Sequence, residues 1–380
     1  MSEPRGYSGT LAGLPVPFAI ERLGVVMQAD PDDPREAWGV LNPACARSPS
    51  GELLLFPRVV AEANRSRIGI ARVLFSESGD PASVERLGYA LEPEEPYEIN
   101  RVTAGCEDPR ISFIPELGVY LMAYVAYGPM GSRIAFAKSS DLIVWTRLGL
   151  AKFDPASGVE FDFYINKDPL VFPELIKDPY GRMCIGLIHR PDYNLSPADP
   201  NPYRVLPFGI TDTRPGMWLS YCPVDRLNSD LRTLAPFGCH HMLAAPEEPW
   251  EALKIGGGTA PLKTRHGWLT LFHGVSGTIF PGIRPQTEVH YSAGAMLLDL
   301  DDPRRVVYRS REPILEPEFR AEREGMIPNV VFPTALDQRD ENRVDVYYGM
   351  ADSRIGAGSF TIPESLPIQM DSNGDDEAVA

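Results

Sequence analysis

An apolar run ending on a polar residue recurs five times along the chain: ELLLFPRVV, VYLMAYVAY, MCIGLIHRP, WLTLFHGV and VDVYYGMAD. The copies fall roughly 65 to 85 residues apart, a period that marks a repeat architecture. Each is preceded by a strand-like segment that opens on Asn, Asp or Gly and usually holds a proline: NPACAR, EDPRISF, NKDPLVF, GGGTAPL and PNVVFP. Links such as SPSGE, PELG and DPYG have the composition of hairpin turns. A third segment follows each copy: RIGIARVLF, RIAFAKSSD, MWLSYCPVD, YSAGAMLLDL and RIGAGSF. Most alternate small or polar residues with large apolar ones, as a strand held between neighbouring sheets does. Acidic or Asn-rich corners, SSDLIVW, RLNSD and DLDDPRR, then turn several copies into a last strand.

Sustained helical periodicity is nearly absent, and 38 prolines with 33 glycines suit short strands joined by turns. Repeats of about four strands set radially predict an all-β fold, a five-bladed β-propeller whose edges are protected by repetition. The pattern sets residues 1–35 apart as an N-terminal extension, 36–360 as the propeller, and 361–380 as an acidic tail. Its end, DSNGDDEAVA, is too poor in apolar residues to order itself.

Composition removes several function classes. The chain has 380 residues, 43% hydrophobic, with no apolar stretch approaching the ~20 residues of a membrane span. Pro15 and Pro17 interrupt the only candidate leader segment, which predicts a cytoplasmic protein. Cys45, Cys106, Cys184, Cys222 and Cys239 are odd in number and form no CxxC pair, so buried thiols are expected rather than a disulfide scaffold. Cys239-His240-His241 has no matching cluster at ligand spacing, and no metal is expected. A net charge of −16 argues against a nucleic-acid partner; a phosphate-bearing ligand would need a local cationic pocket. Monomer and homo-oligomer both remain open.

In a propeller the equivalent strands converge on the central channel, so polar residues at matching places in each repeat meet there. Asn42, Arg58, Asp108, Lys167, Asp168, Arg190, Lys254, His273 and Asp352 occupy such places. For any single Asp-Pro or Asn-Pro pair a turn cap is the better reading. For this many polar residues around one repeat, a shared pocket is the better one.

The segments EDPRI, NKDPLVFPE, IHRP, KIGGGTAPLKTRHGWLTLFHGV, PNVVFP and YYGMADS resemble the signatures of glycoside hydrolase family 130. They stand in the family's order and span roughly residues 35 to 360. That family contains inverting β-mannoside phosphorylases and some β-mannosidases on a five-bladed propeller. The resemblance implies that Asp108 is the general acid, its proton passing through a hydroxyl of the mannosyl ring. It implies that Asn42, Arg58, Asp168 and Asp352 hold that ring, and that Lys167, Arg190, Lys254 and His273 bind phosphate as co-substrate, with no cofactor. The chain departs from the compact family pattern in a Pro- and Asp-rich insertion between Arg190 and Lys254, beginning PDYNLSPADPNPYRVLPFG, where acceptor-site residues do not transfer.

The chemistry stands beside the resemblance. An inverting hydrolase uses an acid and a carboxylate base that activates water. Phosphate is already an anionic nucleophile, so a phosphorylase needs cations in place of that base, and Arg can grip two oxygens in fixed geometry. Asp108 must deliver a proton at neutral pH, which burial or the neighbouring Glu107 would favour, whereas Arg110 on the same strand face would oppose it. Tyr124, Tyr127, Trp250, Tyr347 and Tyr348 are expected mainly as packing residues, and Tyr193, inside the insertion, as the one nearest an acceptor sugar. The leading expectation is phosphorolysis of a β-mannoside to α-mannose 1-phosphate. Behind it stand a β-mannosidase on the same fold and a propeller that only binds carbohydrate or protein.

Overall fold

The computed structural model describes residues 10–11, 14–101, 103–193, 210, 212, 214–278 and 287–366. They form an all-β fold whose one described α-helix is the single turn Arg320–Arg323. No helix among them is long and apolar enough to cross a membrane. Apart from the short strands Thr10–Leu11, Leu14–Pro15, Ile176–Lys177 and Leu262–Thr264, the described strands fall into five antiparallel units of four. The first is Gly39–Arg47, Leu53–Ala61, Arg65–Phe75 and Pro81–Leu91; the second is Ala104–Ile114, Val119–Gly128, Gly131–Ser139 and Thr146–Leu150. A parallel pairing of Arg65 and Ser66 with Ala104 and Gly105 joins these two into one eight-stranded sheet. The third unit is Ile165–Val171, Met183–Asp192, Met217–Pro223 and Gly238–Ala244; the fourth is Lys254–Gly257, Gly267–Gly277, Val289–Leu298 and Val306–Arg309.

The fifth unit differs from the sequence expectation. Val331–Gln338, Arg343–Met350 and Arg354–Thr361 are completed by Glu21–Gln28, which pairs antiparallel with Arg354–Thr361. Much of the supposed N-terminal extension is therefore the outer strand of the last unit. At the other end, Ile362 N–H donates to Asn342 O, and Pro363 O lies 2.7 Å from His266 Nε2. Residues 367–380, most of the acidic tail, lie outside the described residues.

The core consists of apolar clusters between one unit and the next. Phe56, Tyr120 and Met122 pack between the first two units; Phe136, Leu187 and Phe237 between the second and third; Leu170, Trp268 and Phe272 between the third and fourth. Leu271, Leu297 and Tyr348 fill the space between the fourth and fifth, and Leu55, Tyr347 and Ile355 that between the fifth and the first. Strands covered on both faces read as near-continuous apolar runs, which is why VYLMAYVAYG is buried at almost every position.

Four units share a polar clasp that the apolar pattern does not announce. A buried glutamate just before the first strand accepts backbone N–H groups of its own turn and pairs with an arginine of the fourth strand. Glu36 meets Arg86 at 2.7 Å, Glu98 meets Arg147 at 2.9 Å, Glu251 meets Arg309 at 2.6 Å and Glu322 meets Arg22 at 2.8 Å. All four glutamates are at most 2% exposed. Tyr124 and Tyr348 add hydroxyl donors to Glu98 and Glu322. Each clasp ties the inner entrance of a unit to its outer edge. Because removing one partner leaves the other buried and uncompensated, Glu98→Gln should lower stability by about 3 kcal/mol in chemical denaturation. Glu94→Gln, changing the exposed partner of the same arginine, should leave the midpoint near that of the parent.

Candidate active site

Asn42, Asp108 and Asp168 each precede a proline and each adopt left-handed backbone, with φ of 43°, 46° and 54°. Each sits where the ladder between first and second strands slips register. Asn and Asp tolerate that conformation better than other L-residues, and the following proline has no N–H to leave unpaired. Asp352, in the turn between the second and third strands of the fifth unit, has φ of 50°. The bulge turns a short polar side chain out of the sheet at the same place in successive units.

The side chains form two linked groups. In the first, Asp108 Oδ1 accepts from Asn42 Nδ2 at 3.0 Å and lies 3.3 Å from Arg58 Nη1. Arg58 Nη2 donates to Glu107 Oε1 at 2.8 Å and to Asn64 Oδ1 at 2.9 Å, and its Nε donates to Ser66 Oγ. Burial works against the Arg58 charge, but Glu107, Asp108 and Asp352 together raise its pKa above the ordinary arginine value. In the second group, Arg190 Nε donates to Asp168 Oδ2 at 2.6 Å, and His273 Nε2 stands 3.8 Å from the same oxygen. His273 stacks on Tyr291 at 5.7 Å, and Lys254 Nζ lies 5.6 Å from the centre of that ring. Lys167 is in register with Arg190 and within electrostatic reach of Asp352 and Tyr291.

Burial decides the charge states here. It pushes the Asp352 carboxyl up to about 6 against the pull of Arg58, with Asp108 and Glu107 adding to the rise. It brings Lys254 down to about 8, helped by Arg190 and opposed by Asp168 and Asp192. Asp168 is also desolvated, yet Arg190, His273 and Arg110 hold it well below the carboxylate range. Burial takes His273 down to about 3. The imidazole is therefore neutral at pH 7 and offers a hydrogen bond rather than a charge.

All nine residues singled out from the sequence thus lie in one network. Glycine makes the approach close enough: a side chain at Gly256 would collide with the Asp168 carboxylate and the His273 ring. Arg110, besides acting on the Asp168 carboxylate, grips backbone. Its Nη1 donates to Asp108 O at 2.9 Å and its Nε to Gly258 O, binding the second unit's bulge to the fourth unit. Tyr193 is 4% exposed and packs edge-on to Tyr164 within the core, so it turns inward rather than toward an acceptor. Most of the insertion beyond it, residues 194–209, lies outside the described residues. Sequence reasoning missed Tyr291, because it followed the ends of second strands and this residue begins the third. Asn64 and Ser66, which hold Arg58 and Glu107, read only as turn residues.

A family profile described as β-1,4-mannooligosaccharide phosphorylase, of glycoside hydrolase family 130, matches residues 19–369. The chain is 32% identical to a 1,2-β-oligomannan phosphorylase of Thermoanaerobacter sp. strain X514 over 288 residues, 72% of this chain and 77% of that one. It is 33% identical over 300 residues to a β-1,2-mannobiose phosphorylase of Listeria innocua, 78% of this chain and 67% of the relative. The structure of the Listeria innocua β-1,2-mannobiose phosphorylase with β-1,2-mannobiose superposes with a TM-score of 0.59 at 23% identity, covering 92% of this chain and 93% of that one.

The charge states give a pH signature. Lys254 carries its proton below about pH 8, so calorimetric affinity for inorganic phosphate should fall as pH rises through that value. Asp352 loses its proton above about pH 6, and the lower limb of a pH–rate profile should move in Asp352→Asn. Phosphate affinity that is flat from pH 7 to 9.5 would show that Lys254 does not meet the anion.

Proposed function

The chain belongs to glycoside hydrolase family 130, and from that premise we propose that it is an inverting β-mannoside phosphorylase built as a five-bladed propeller. The propeller reading is supported by the core clusters that follow unit upon unit, the last of them lying between the fifth and the first. The observation that carries the activity is the pairing of an acid with a cation group in one network of side chains. Asp108 stands with Asn42 and Arg58; Lys167, Arg190 and Lys254 surround Asp168 and the neutral His273.

In this reading Asn42, Arg58, Asp168 and Asp352 hold the non-reducing mannosyl ring. A phosphate dianion meets Lys167, Arg190, Lys254 and the N–H of His273. A phosphate oxygen attacks the anomeric carbon from the face opposite the glycosidic oxygen; the C1–O bond breaks, and the leaving oxygen takes the proton supplied by Asp108 through a mannosyl hydroxyl. The products are α-mannose 1-phosphate and a shortened acceptor. The runner-up, a β-mannosidase, requires a carboxylate free to activate water. Asp168 is bound to Arg190 and does not suit that task. The two relatives described above act, by their names, on β-1,2-linked substrates, so β-1,2-mannobiose is the substrate of first choice. The five thiols stand unpaired, which suits a reducing cytoplasm.

Incubation with β-1,2-mannobiose should give α-mannose 1-phosphate in saturable dependence on phosphate; brisk release of mannose without phosphate would move the enzyme to the hydrolase class. Asp108→Asn should cut turnover of an unactivated mannoside by about 10² to 10⁴. Lys254→Ala should raise the phosphate KM roughly tenfold or more with little change in the mannoside KM. Arg190→Ala should raise both, because it also releases Asp168.

A further inference from the structure

The third unit lacks the glutamate–arginine clasp among its described residues and carries a different polar device in the corresponding space. Asn166 is hydrogen-bonded to His189 Nδ1 at 3.0 Å, His189 Nε2 lies 2.8 Å from Ser220 Oγ, and Ser220 Oγ lies 2.8 Å from His240 Nδ1. The chain of contacts crosses all four strands of the unit, from Ile165–Val171 to Gly238–Ala244. Asn166, His189 and Ser220 are at most 2% exposed. Phe153 and Phe161 flank His189, with ring centres 4.9 and 5.2 Å away. In that apolar setting burial drives His189 well below the ordinary histidine value, and His240 down to about 4. The whole chain is neutral.

Its position gives it meaning. Asn166 immediately precedes Lys167, and His189 immediately precedes Arg190. Lys167 and Arg190 face each other across the two strands as the last pair before the bulge at Asp168. Successive side chains of a strand point to opposite faces, so the hydrogen-bonded pair stands directly behind the cationic pair. In the second unit, Glu107 and Val125 are the last pair before the bulge, and the residue matching His189 is Tyr124. That tyrosine donates to the buried Glu98. A glutamate in the same place in the third unit would set a negative charge behind the two cations and offset their pull on an anion. The unit that supplies two cations is the one that, among its described residues, lacks a buried glutamate at the clasp position behind them.

We infer that Asn166 and His189 are positioning residues of the anion site, fixing the spacing of Lys167 and Arg190 through an uncharged hydrogen-bonded chain that sets no further negative charge behind them. The inference rests on the phosphorylase reading for the identity of the anion. A misplacement of about 1 Å in a positioned group can cost up to a hundredfold in rate, so loosening the pair should be visible in phosphate use.

The test is the dependence of the purified full chain on inorganic phosphate and on β-1,2-mannobiose, for the parent, His189→Phe, His189→Gln and Ser220→Ala. Phe fits the aromatic surroundings but cannot bond to Asn166 or Ser220; it should raise the phosphate KM about tenfold while the mannobiose KM stays within about twofold. Gln can bond to both neighbours and should restore the phosphate KM to within about threefold of the parent. Ser220→Ala cuts the next link and should raise the phosphate KM severalfold; it decides the matter if His189→Phe does not fold. The inference is overturned if the phosphate KM is unchanged in the cut variants, or if both KM values rise together in proportion to a loss in melting temperature. A parent enzyme that turns over mannobiose without phosphate would sink the phosphorylase reading instead, and the two failures are distinguishable in the same data.

Discussion

The site depends on a backbone that turns left-handed where the first strand of a unit breaks its ladder. At Asn42, Asp108 and Asp168 this turn takes a short polar side chain out of the sheet and toward its counterparts in neighbouring units. The conformation costs L-residues roughly 1–2 kcal/mol each, and the surrounding contacts offset it. Arg110 takes up the Asp108 carbonyl that the broken ladder leaves free, and proline in the next position removes the donor that would otherwise be stranded. The same dipeptide that reads as a simple turn starter is thus the element that aims the Asn42, Asp108 and Asp168 side chains.

Around these bulges the charges are arranged in opposed pairs. Arg58 is matched by Glu107 and Asp108, and Arg190 by Asp168. Lys254 rests over a ring and feels Asp168 and Asp192 only at a distance. An arriving dianion would stabilise its proton and draw Arg190 partly away from Asp168. In the proposed function, anion binding and sugar binding are therefore electrically coupled through Asp168.

How much of this was legible follows from what sequence encodes locally. Repeating apolar strands with a polar residue at a fixed offset are periodic features, so the all-β class and the polar residues that the fold brings together could be read directly. Glu98 and Glu251 were not, since a glutamate after a proline looks like surface until an arginine far along the chain is folded onto it. The neutrality of His273 was hidden for a related reason: burial sets it, and burial belongs to the tertiary structure. Tyr193 sits in a polar insertion yet faces inward, where local composition says nothing about direction. Glu21–Gln28 escaped because its buried positions, Val26 and Met27, are adjacent rather than alternating, as suits an outer strand gripped chiefly by its hydrogen bonds.

That outer strand carries a consequence for biosynthesis. Glu21–Gln28 leaves the ribosome long before its pairing partner Arg354–Thr361. Long-range contacts of this kind form only after the loop between them has been closed. The fifth unit, and with it the placement of Asp352, cannot be finished until Arg354–Thr361 has been made. Until then an early strand with open hydrogen-bonding edges waits unpaired, which is the condition under which nascent chains associate with one another. Arg22, which later closes onto Glu322, supplies in the interval a charge on that edge that discourages such pairing.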